Sequence, residues 1–359
     1  MLKKLDHYII RKFLGTFFFA MTLIIFIVII FDLSEKIDDF IEKQAPMRDI
    51  LLVYYLNFIP YFVNLFSPLF TFIAVIFFTS RLAFNTEIVA ILSSGVSFRR
   101  LLRPYFISAI LLSLFSIYLS NFVIPSANRL RLDFETTYVK TPTRFSDRNI
   151  HMQVRPGEFV YLESFNDRTQ VGYRFTLEKM EDQKLTYKLF ADQVRWDSIQ
   201  QQWTIENYNI RVIEGLEEQL SFGHSMDTVL NFTPKDFIQN IKEMETMSFS
   251  ELRDFIANEK LKGSENVKFY EVEMHRRIAF PFATLVLTLI GVSLSSRKVR
   301  GGIGLHLGIG LGISFAFILF MQISTTFATK GNLHPMLSVW IPNIIFGLLG
   351  LYLLRIAPK

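Results

Sequence analysis

Apolar positions in this chain fall into two groups of long uncharged runs, separated by a segment with a different rhythm. Phe13–Phe31, Ile50–Ser80 and Pro104–Asn128 carry no Asp, Glu, Lys or Arg, and the same is true of Ile278–Ser296, Gly301–Thr329 and Gly331–Leu354. A bilayer core needs about 20 apolar helical residues, so the pattern predicts six membrane spans in a three-plus-three arrangement. Ile50–Ser80 is longer than one span requires, and Pro60 and Pro68 inside it predict a kink or a distorted segment. Between the groups the period drops to two, in Glu158-Phe-Val-Tyr-Leu-Glu163, Tyr173-Arg-Phe-Thr-Leu-Glu178, Lys184–Phe190 and Trp203–Val212. Alternation rich in aromatic and β-branched residues predicts strands. Arg155-Pro-Gly157, Asn166-Asp167 and Glu181-Asp182-Gln183 supply the turns between them. Many short strands in one segment suggest a β-sandwich or jelly roll. The alternation stops after Pro234. Ser248-Phe-Ser-Glu251, followed by Leu252, Phe255 and Ile256, reads as a capped helix leading back to the membrane.

Charge gives these runs a direction. Lys3, Lys4, Arg11 and Lys12 precede span one, Arg81, Arg99, Arg100 and Arg103 lie between spans two and three against the single acid Glu87, and Arg297, Lys298 and Arg300 follow span four. Lys and Arg accumulate in cytoplasmic loops, so both termini, including Arg355 and Lys359, are expected in the cytoplasm. Asp32–Asp49 has six acids, two Lys and one Arg, and reads as a short external connection. The β-segment follows an odd number of spans and belongs outside. No small-x-small cleavage site follows the first run, so it is expected to remain as a span. The fold class is therefore an α-helical membrane protein with six transmembrane helices and an inserted extracytoplasmic all-β, jelly-roll-like domain. Its parts are residues 1–127, with a cytoplasmic helix at about 85–95; residues 128–270, the β-domain and return helix; and residues 271–359.

Composition agrees with a membrane protein: half of the 359 residues are hydrophobic, and 38 are Phe. The net charge of +5 is accounted for by the loops, so nucleic acid is not an expected partner. The absence of cysteine excludes thiolate metal sites and cysteine nucleophiles. There is no phosphate-binding Gly-x-x-x-x-Gly-Lys-Ser/Thr, no His-Glu-x-x-His and no Gly-x-Ser-x-Gly, and His151 and His224 have no triad-like spacing. No catalytic residue, metal or cofactor is expected. The uncharged runs hold two histidines, His306 and His334, and no carboxylate, whereas ion-coupled transporters use intramembrane carboxylates. Energy for any transport would then come from another subunit.

Two stretches stand out. In Arg81–Arg100, Asn85 or Thr86 can cap a short helix, Glu87 suits its positive end, Ile88, Val89, Ile91 and Leu92 give it an apolar side, and Gly95 can end it. Such a helix could lie on lipid or dock into a groove of a soluble partner. Span five opens Gly301-Gly-Ile-Gly304, and Gly304, Gly308 and Gly312 share one helix face. That face allows close helix approach, either as static packing or as a seam that opens.

Three motifs then resemble one family. Glu87-Ile-Val-Ala-Ile-Leu-Ser-Ser-Gly95-Val-Ser97 is similar to the coupling segment of lipopolysaccharide-export permeases of the LptF/LptG type. Glu273-Met-His-Arg-Arg277-Ile-Ala-Phe-Pro281 resembles the start of their span four, and Trp340-Ile-Pro-Asn343 their span-six motif. Leu5-Asp-His-Tyr-Ile leans toward LptG. The resemblance implies a permease subunit of an ATP-driven exporter in the inner membrane of a Gram-negative bacterium. It implies a second permease of the same family, a cytoplasmic ATPase of the LptB type, and bridge proteins of the LptC/LptA type that accept the lipopolysaccharide. It makes Glu87, Ile88, Ile91, Leu92 and Gly95 the ATPase contact, and Gly304, Gly308 and Gly312 a gate seam in span five, with span one as the other gate. Family members often carry a basic cluster at the outer end of span one. Here that region is acidic, leaving Lys36, Lys43, Arg276 and Arg277 as candidate headgroup contacts; Arg129 and Arg131 read better as interfacial anchors. The rival reading is a membrane-anchored external binding or sensor module, which would need neither a coupling helix nor a glycine seam.

Overall fold

The computed structural model describes residues 3–139, 149–166, 169–182, 184–215, 217–234, 241–264, 266–299 and 301–357. Asp167, Gln183, Arg300 and Lys359, used above, lie outside the described residues. The chain forms two compact units: one of Met1–Lys140, Glu245–Leu252 and Lys268–Lys359, the other of Thr141–Met244 and Arg253–Val267.

In the first unit, among the described residues, six helices are long and apolar enough to cross a membrane. Helix α1 spans Lys4–Glu42, and α2 is a rod over Met47–Phe84. Next come the short helix α3 (Glu87–Ser93) and the rod α4 (Phe98–Tyr138). Past the β-domain and the helix α5 (Phe249–Lys262), the chain forms α6 (Val267–Ser295), α7 (Gly302–Thr329) and α8 (Pro335–Ile356). The expected six runs are therefore the six helices, but several extend well past the runs that predict them. Asp32–Glu42, expected as part of a connecting loop, continues α1. It stays helical because its charges are partnered: Lys36 Nζ donates to Asp32 Oδ1 one turn earlier at 2.8 Å and to Glu135 Oε1 of α4 at 3.3 Å. The third rod likewise runs past Asn128 to Tyr138.

The prolines do not break α2. The rod stays helical through Pro60 and Pro68, and its irregularity is a π-helical segment at Ile50–Tyr55. A second π-segment, Leu119–Val123, precedes Pro125 in α4, where the missing proline N–H disturbs the regular ladder. Both π-segments sit in the half of the bundle away from α3.

Side chains tie the spans together through hydroxyls and amides, the kind of contact that associates helices in lipid. Ser113 of α4 donates to the Pro281 carbonyl of α6 at 2.8 Å, and Ser324 of α7 to the Ser338 carbonyl of α8 at 2.6 Å. His306 is buried, with Nδ1 2.8 Å from Ser80 Oγ, which makes it a satisfied packing residue.

The second unit holds a sheet of seven antiparallel strands: β1 (Ile150–Arg155), β2 (Glu158–Leu162), β3 (Ser164–Asn166), β4 (Val171–Glu181), β5 (Lys184–Asp197), β6 (Gln202–Glu214) and β7 (Glu217–Thr228). The order β1-β2-β4-β5-β6-β7, with β3 also on β4, is a meander. The crossovers that distinguish a jelly roll are not among the described pairings. Register aligns the period-two positions: Val160 lies opposite Leu177, Leu177 opposite Leu189, and Leu189 opposite Ile210. These side chains share one face with Phe165, Phe175 and Trp203. Gly157 closes the β1–β2 turn at φ +81°, where a Cβ would also stand 2.6 Å from the Met180 carbonyl oxygen.

Trp203 is fully buried, and its Nε1 donates to the Phe232 carbonyl at 2.9 Å. Trp203→Phe keeps most of the apolar bulk but leaves that carbonyl without its donor, a loss of about 1–3 kcal/mol. Trp203→Ala adds a cavity and costs about 3–5 kcal/mol. Amide exchange of β4–β6 in the full chain should accelerate in that order; equal protection in both variants would remove Trp203 from the centre of this core.

The return helix α5 begins as expected. Glu251 N–H donates to Ser248 Oγ at 3.3 Å, and the Ser248 N–H donates to Glu251 Oε2 at 2.8 Å. The backbone N–H of Ser248, then its hydroxyl, hold the Glu251 carboxyl below its ordinary range. A lowered carboxyl strengthens the cap above the usual carboxylate pKa, and the gain disappears as pH falls.

Candidate functional site

The region between α2 and α4 is built as a seat for α3. Thr86 starts α3 from a left-handed backbone, φ +61°, and its hydroxyl donates to the Asn85 carbonyl at 2.6 Å. Neither Asn85 nor Thr86 caps the helix with its side chain, contrary to expectation, because the left-handed turn directs the Thr86 hydroxyl backwards. Gly95 ends the segment at φ +85°, as its position predicts. Ile88 is fully buried, and Ile91 and Leu92 pack with it against residues of α1 and α4 such as Phe13 and Leu101. The apolar side that sequence offers to a partner is therefore the side on which the protein seats its own helix. The outward face carries Val89 and Ala90, with Phe84 exposed just before it.

Glu87 is half-buried at the edge of this face. Its Oε2 accepts from Tyr8 OH of α1 at 3.2 Å and its Oε1 from Asn85 Nδ2 at 3.4 Å. Among the described residues, no ion pair joins it to Arg81 or Arg99. A stronger tie lies behind it. Arg100 of α4 donates two hydrogen bonds to Asp6 of α1, Nη1 to Oδ1 at 2.7 Å and Nη2 to Oδ2 at 2.6 Å. Asp6 also accepts from the Lys3 backbone N–H at 2.7 Å. The start of α1 is thus bound to both ends of the stretch that carries α3. Sequence reasoning missed Asp6; an acid among Lys3, Lys4, Arg11 and Lys12 was the available signal.

The glycines of α7 divide by face. A Cβ on Gly304, Gly308 or Gly312 would meet nothing within 4 Å, whereas one on Gly310 would overlap Ile76 of α2. Close packing inside this chain runs through Gly310, off the four-residue series, and the series itself faces away from the protein. Gly310→Val should lower the unfolding temperature of the detergent-solubilised chain, with overpacking costing about 1–3 kcal/mol. Gly308→Val should leave it unchanged. The opposite order would mean that the open face is packed after all.

The basic candidates at the other end of the bundle are all engaged. Lys36 joins Asp32 and Glu135 and also donates to Tyr54 OH, which in turn donates to Asp32 Oδ2 at 2.9 Å. Lys43 donates to the Thr137 and Val139 carbonyls at 3.2 and 3.1 Å. Arg276 pairs with Glu273 at 2.7 Å, and Arg277 reaches Glu273 at 3.4 Å and the Met247 carbonyl at 2.7 Å. Arg129 is exposed, as an anchor would be, and pairs with Glu251 at 3.7 Å. Arg131 is buried, with its guanidinium 5.4 Å from the centre of the Tyr61 ring, so it is a packed cation and not an interfacial anchor. No cluster of metal-ligating side chains occurs among the described residues.

Two motifs that are distant in sequence meet in space. Asn343 of the Trp340–Asn343 motif donates from Nδ2 to the Ala279 carbonyl, inside the Glu273–Pro281 motif, at 2.9 Å, and Trp340 stacks obliquely on Phe282, with ring centres 5.1 Å apart. The family model described as lipopolysaccharide export system permease LptF/LptG matches residues 7–356, nearly the whole chain. The chain belongs to the LptF/LptG family. It is a multi-pass inner-membrane permease for lipopolysaccharide export, a transport subunit and not itself an enzyme. Comparison with curated proteins found no match. In this permease, the coupling-segment motif is the seated α3, and the other two motifs form one contact between α6 and α8.

Proposed function

We propose that this permease works in an ATP-driven exporter, with α3 transmitting the movements of a separate cytoplasmic ATPase of the LptB type. The family match over residues 7–356 carries the reading. The seated helix supports it: a helix braced on α1 and α4 can pass on force, whereas one floating on lipid cannot. In this arrangement both termini are cytoplasmic, α3 faces the ATPase through Glu87, Val89 and Ala90, and Ile88, Ile91, Leu92 and Gly95 fix its pose. The open Gly304–Gly308–Gly312 face of α7 and the poorly covered α1 are the gate helices, toward a second permease of the family. In the most apolar stretch of each, 22% of the residues are buried, against 61% in α6. Lys36, Lys43, Arg276 and Arg277 serve lipopolysaccharide phosphates only by exchanging their present partners. The sheet edge at β7, where Leu220 and Phe222 are exposed, suits strand addition by a bridge domain of the LptC/LptA type.

The test is co-purification of a soluble ATPase with the chain, followed by ATP-dependent release of lipopolysaccharide from proteoliposomes. A chain that recruits no ATPase and releases no lipid with ATP would overturn the exporter reading and favour the external sensor.

A further inference from the structure

The inner half of α7 lies along one row of α2. Phe72, Ile76, Ser80 and Phe84 stand one helical turn apart on that row; the first three are buried and Phe84 is exposed. Facing them in reverse order are Gly310 at Ile76, His306 at Ser80, and Lys298 of the α6–α7 connection, whose Nζ is 5.4 Å from the centre of the Phe84 ring. The Gly310 contact is one of shape. A glycine against an aliphatic side chain brings two helices close without fixing how far one has slid along the other. The Lys298 contact is exposed and therefore weak. Ser314, one turn further along α7, is buried, but its hydroxyl has no partner among the described residues.

The bond between His306 and Ser80 differs from these. Both side chains are buried and meet at 2.8 Å, and a hydroxyl serves either tautomer of the ring, as donor or as acceptor. Within the α2 row, Ser80 is the one residue with a hydrogen-bonding side chain. A slide of α7 by one turn, about 5.4 Å, would set the imidazole against Ile76 or Phe84 and strand a buried polar group. The pair therefore selects one register, where the glycine contact alone would accept several. Beyond Ser80, α2 runs through Phe84 into the left-handed turn at Thr86 and so into α3. The outer end of α7 is tied elsewhere, by Ser324 to the Ser338 carbonyl of α8. We infer that His306 is a positioning residue: it locks α7 to the end of α2 that carries α3, so that a displacement of α3 is passed on to α7. What displaces α3, and what α7 gates, rest on the exporter reading; the lock does not.

The chain has no cysteine, so spin labels can be placed at single chosen positions. Val89→Cys on α3 and Leu305→Cys on α7 replace exposed residues, as does Ile110→Cys on α4 for a control pair with Val89→Cys. In the full chain, purified with any subunits that accompany it and free of nucleotide, the distance from Val89 to Leu305 should be narrowly distributed. His306→Leu should broaden or shift it. His306→Asn, whose amide takes the place of Nδ1, should keep it narrow, and the control pair should not change in either. His306→Leu remains able to fold, because the Ser80 hydroxyl can turn to a carbonyl of its own helix. In proteoliposomes with the ATPase, lipid released per ATP should fall about threefold or more in Ser80→Ala and in His306→Leu, the scale of one interhelical hydrogen bond. ATP turnover should persist, the double variant should be no worse than either single one, and His306→Asn should retain coupling. A distribution as narrow in His306→Leu as in the unaltered chain, or one that broadens together with the control pair, would overturn the lock. Unchanged lipid per ATP beside a changed distribution would overturn the transmission from α3 to α7, as would an equal fall in turnover and release. An unaltered chain that recruits no ATPase would instead remove the exporter reading, and the label distances would still decide the lock.

Discussion

Arg100→Met should destabilise the detergent-solubilised permease more than Asp6→Asn does, although both remove the same ion pair. The difference comes from what is left behind. The Asp6 side chain is 2% exposed and that of Arg100 is 25% exposed. Without Arg100, a carboxylate remains buried with a single backbone N–H as its donor, and truncating one partner of a buried pair costs about 3–5 kcal/mol. Without Asp6, the guanidinium can turn toward water, so the loss is smaller. Thermal unfolding of the two variants at neutral pH measures the order. Equal midpoints, or a lower one for Asp6→Asn, would show that this pair is not buried in the solubilised protein.

If α3 couples to the ATPase as proposed, Glu87→Ala should weaken its recruitment by about 30-fold or more, because a charge pair shielded at an interface loses about 2–5 kcal/mol when one member is truncated. Glu87→Arg is worse, since it adds repulsion to the loss. Neither change should disturb folding much, as the carboxylate is at the surface and gives up only its bonds from Tyr8 and Asn85. Tyr8→Phe separates the two roles. It removes the bond to α1 but leaves the carboxylate, so it should recruit the ATPase normally. Pull-down of the ATPase by each variant, with ATP turnover in proteoliposomes, provides the comparison. Normal recruitment by Glu87→Arg would reduce Glu87 to a charge that only suits the start of α3.

The spans were legible because lipid leaves so few options: an uncharged run of this length has to be a helix that satisfies its own backbone. The strands were legible because one face of the sheet is buried, which imposes period two on Val160, Leu177 and Leu189. Helical Asp32–Glu42 was not, since the six acids and three bases of Asp32–Asp49 look like a loop until Glu135, about a hundred positions later, is seen to share Lys36. The tie between Asp6 and Arg100 is hidden for the same reason. In α7 the period of the glycines could be read, but not which side packs. Gly310 meets Ile76, and nothing in the spacing distinguishes it from Gly308. The apolar side of α3 was visible as well, while its seating on the protein's own helices depends on α1 and α4, whose approach no local pattern records.

The two clamps on α1 have a joint mechanical consequence. At one end Asp6 is held by Arg100; at the other Lys36 is held by Glu135; and both holding residues belong to α4. A helix of 39 residues is about 58 Å long, so a tilt of about 5° would carry its far end about 5 Å. A rod pinned at two points to the same neighbour cannot make that swing alone. It turns together with α4 as one plate, or it first unpins Lys36, and Lys36 then becomes the latch whose release decides when the plate divides.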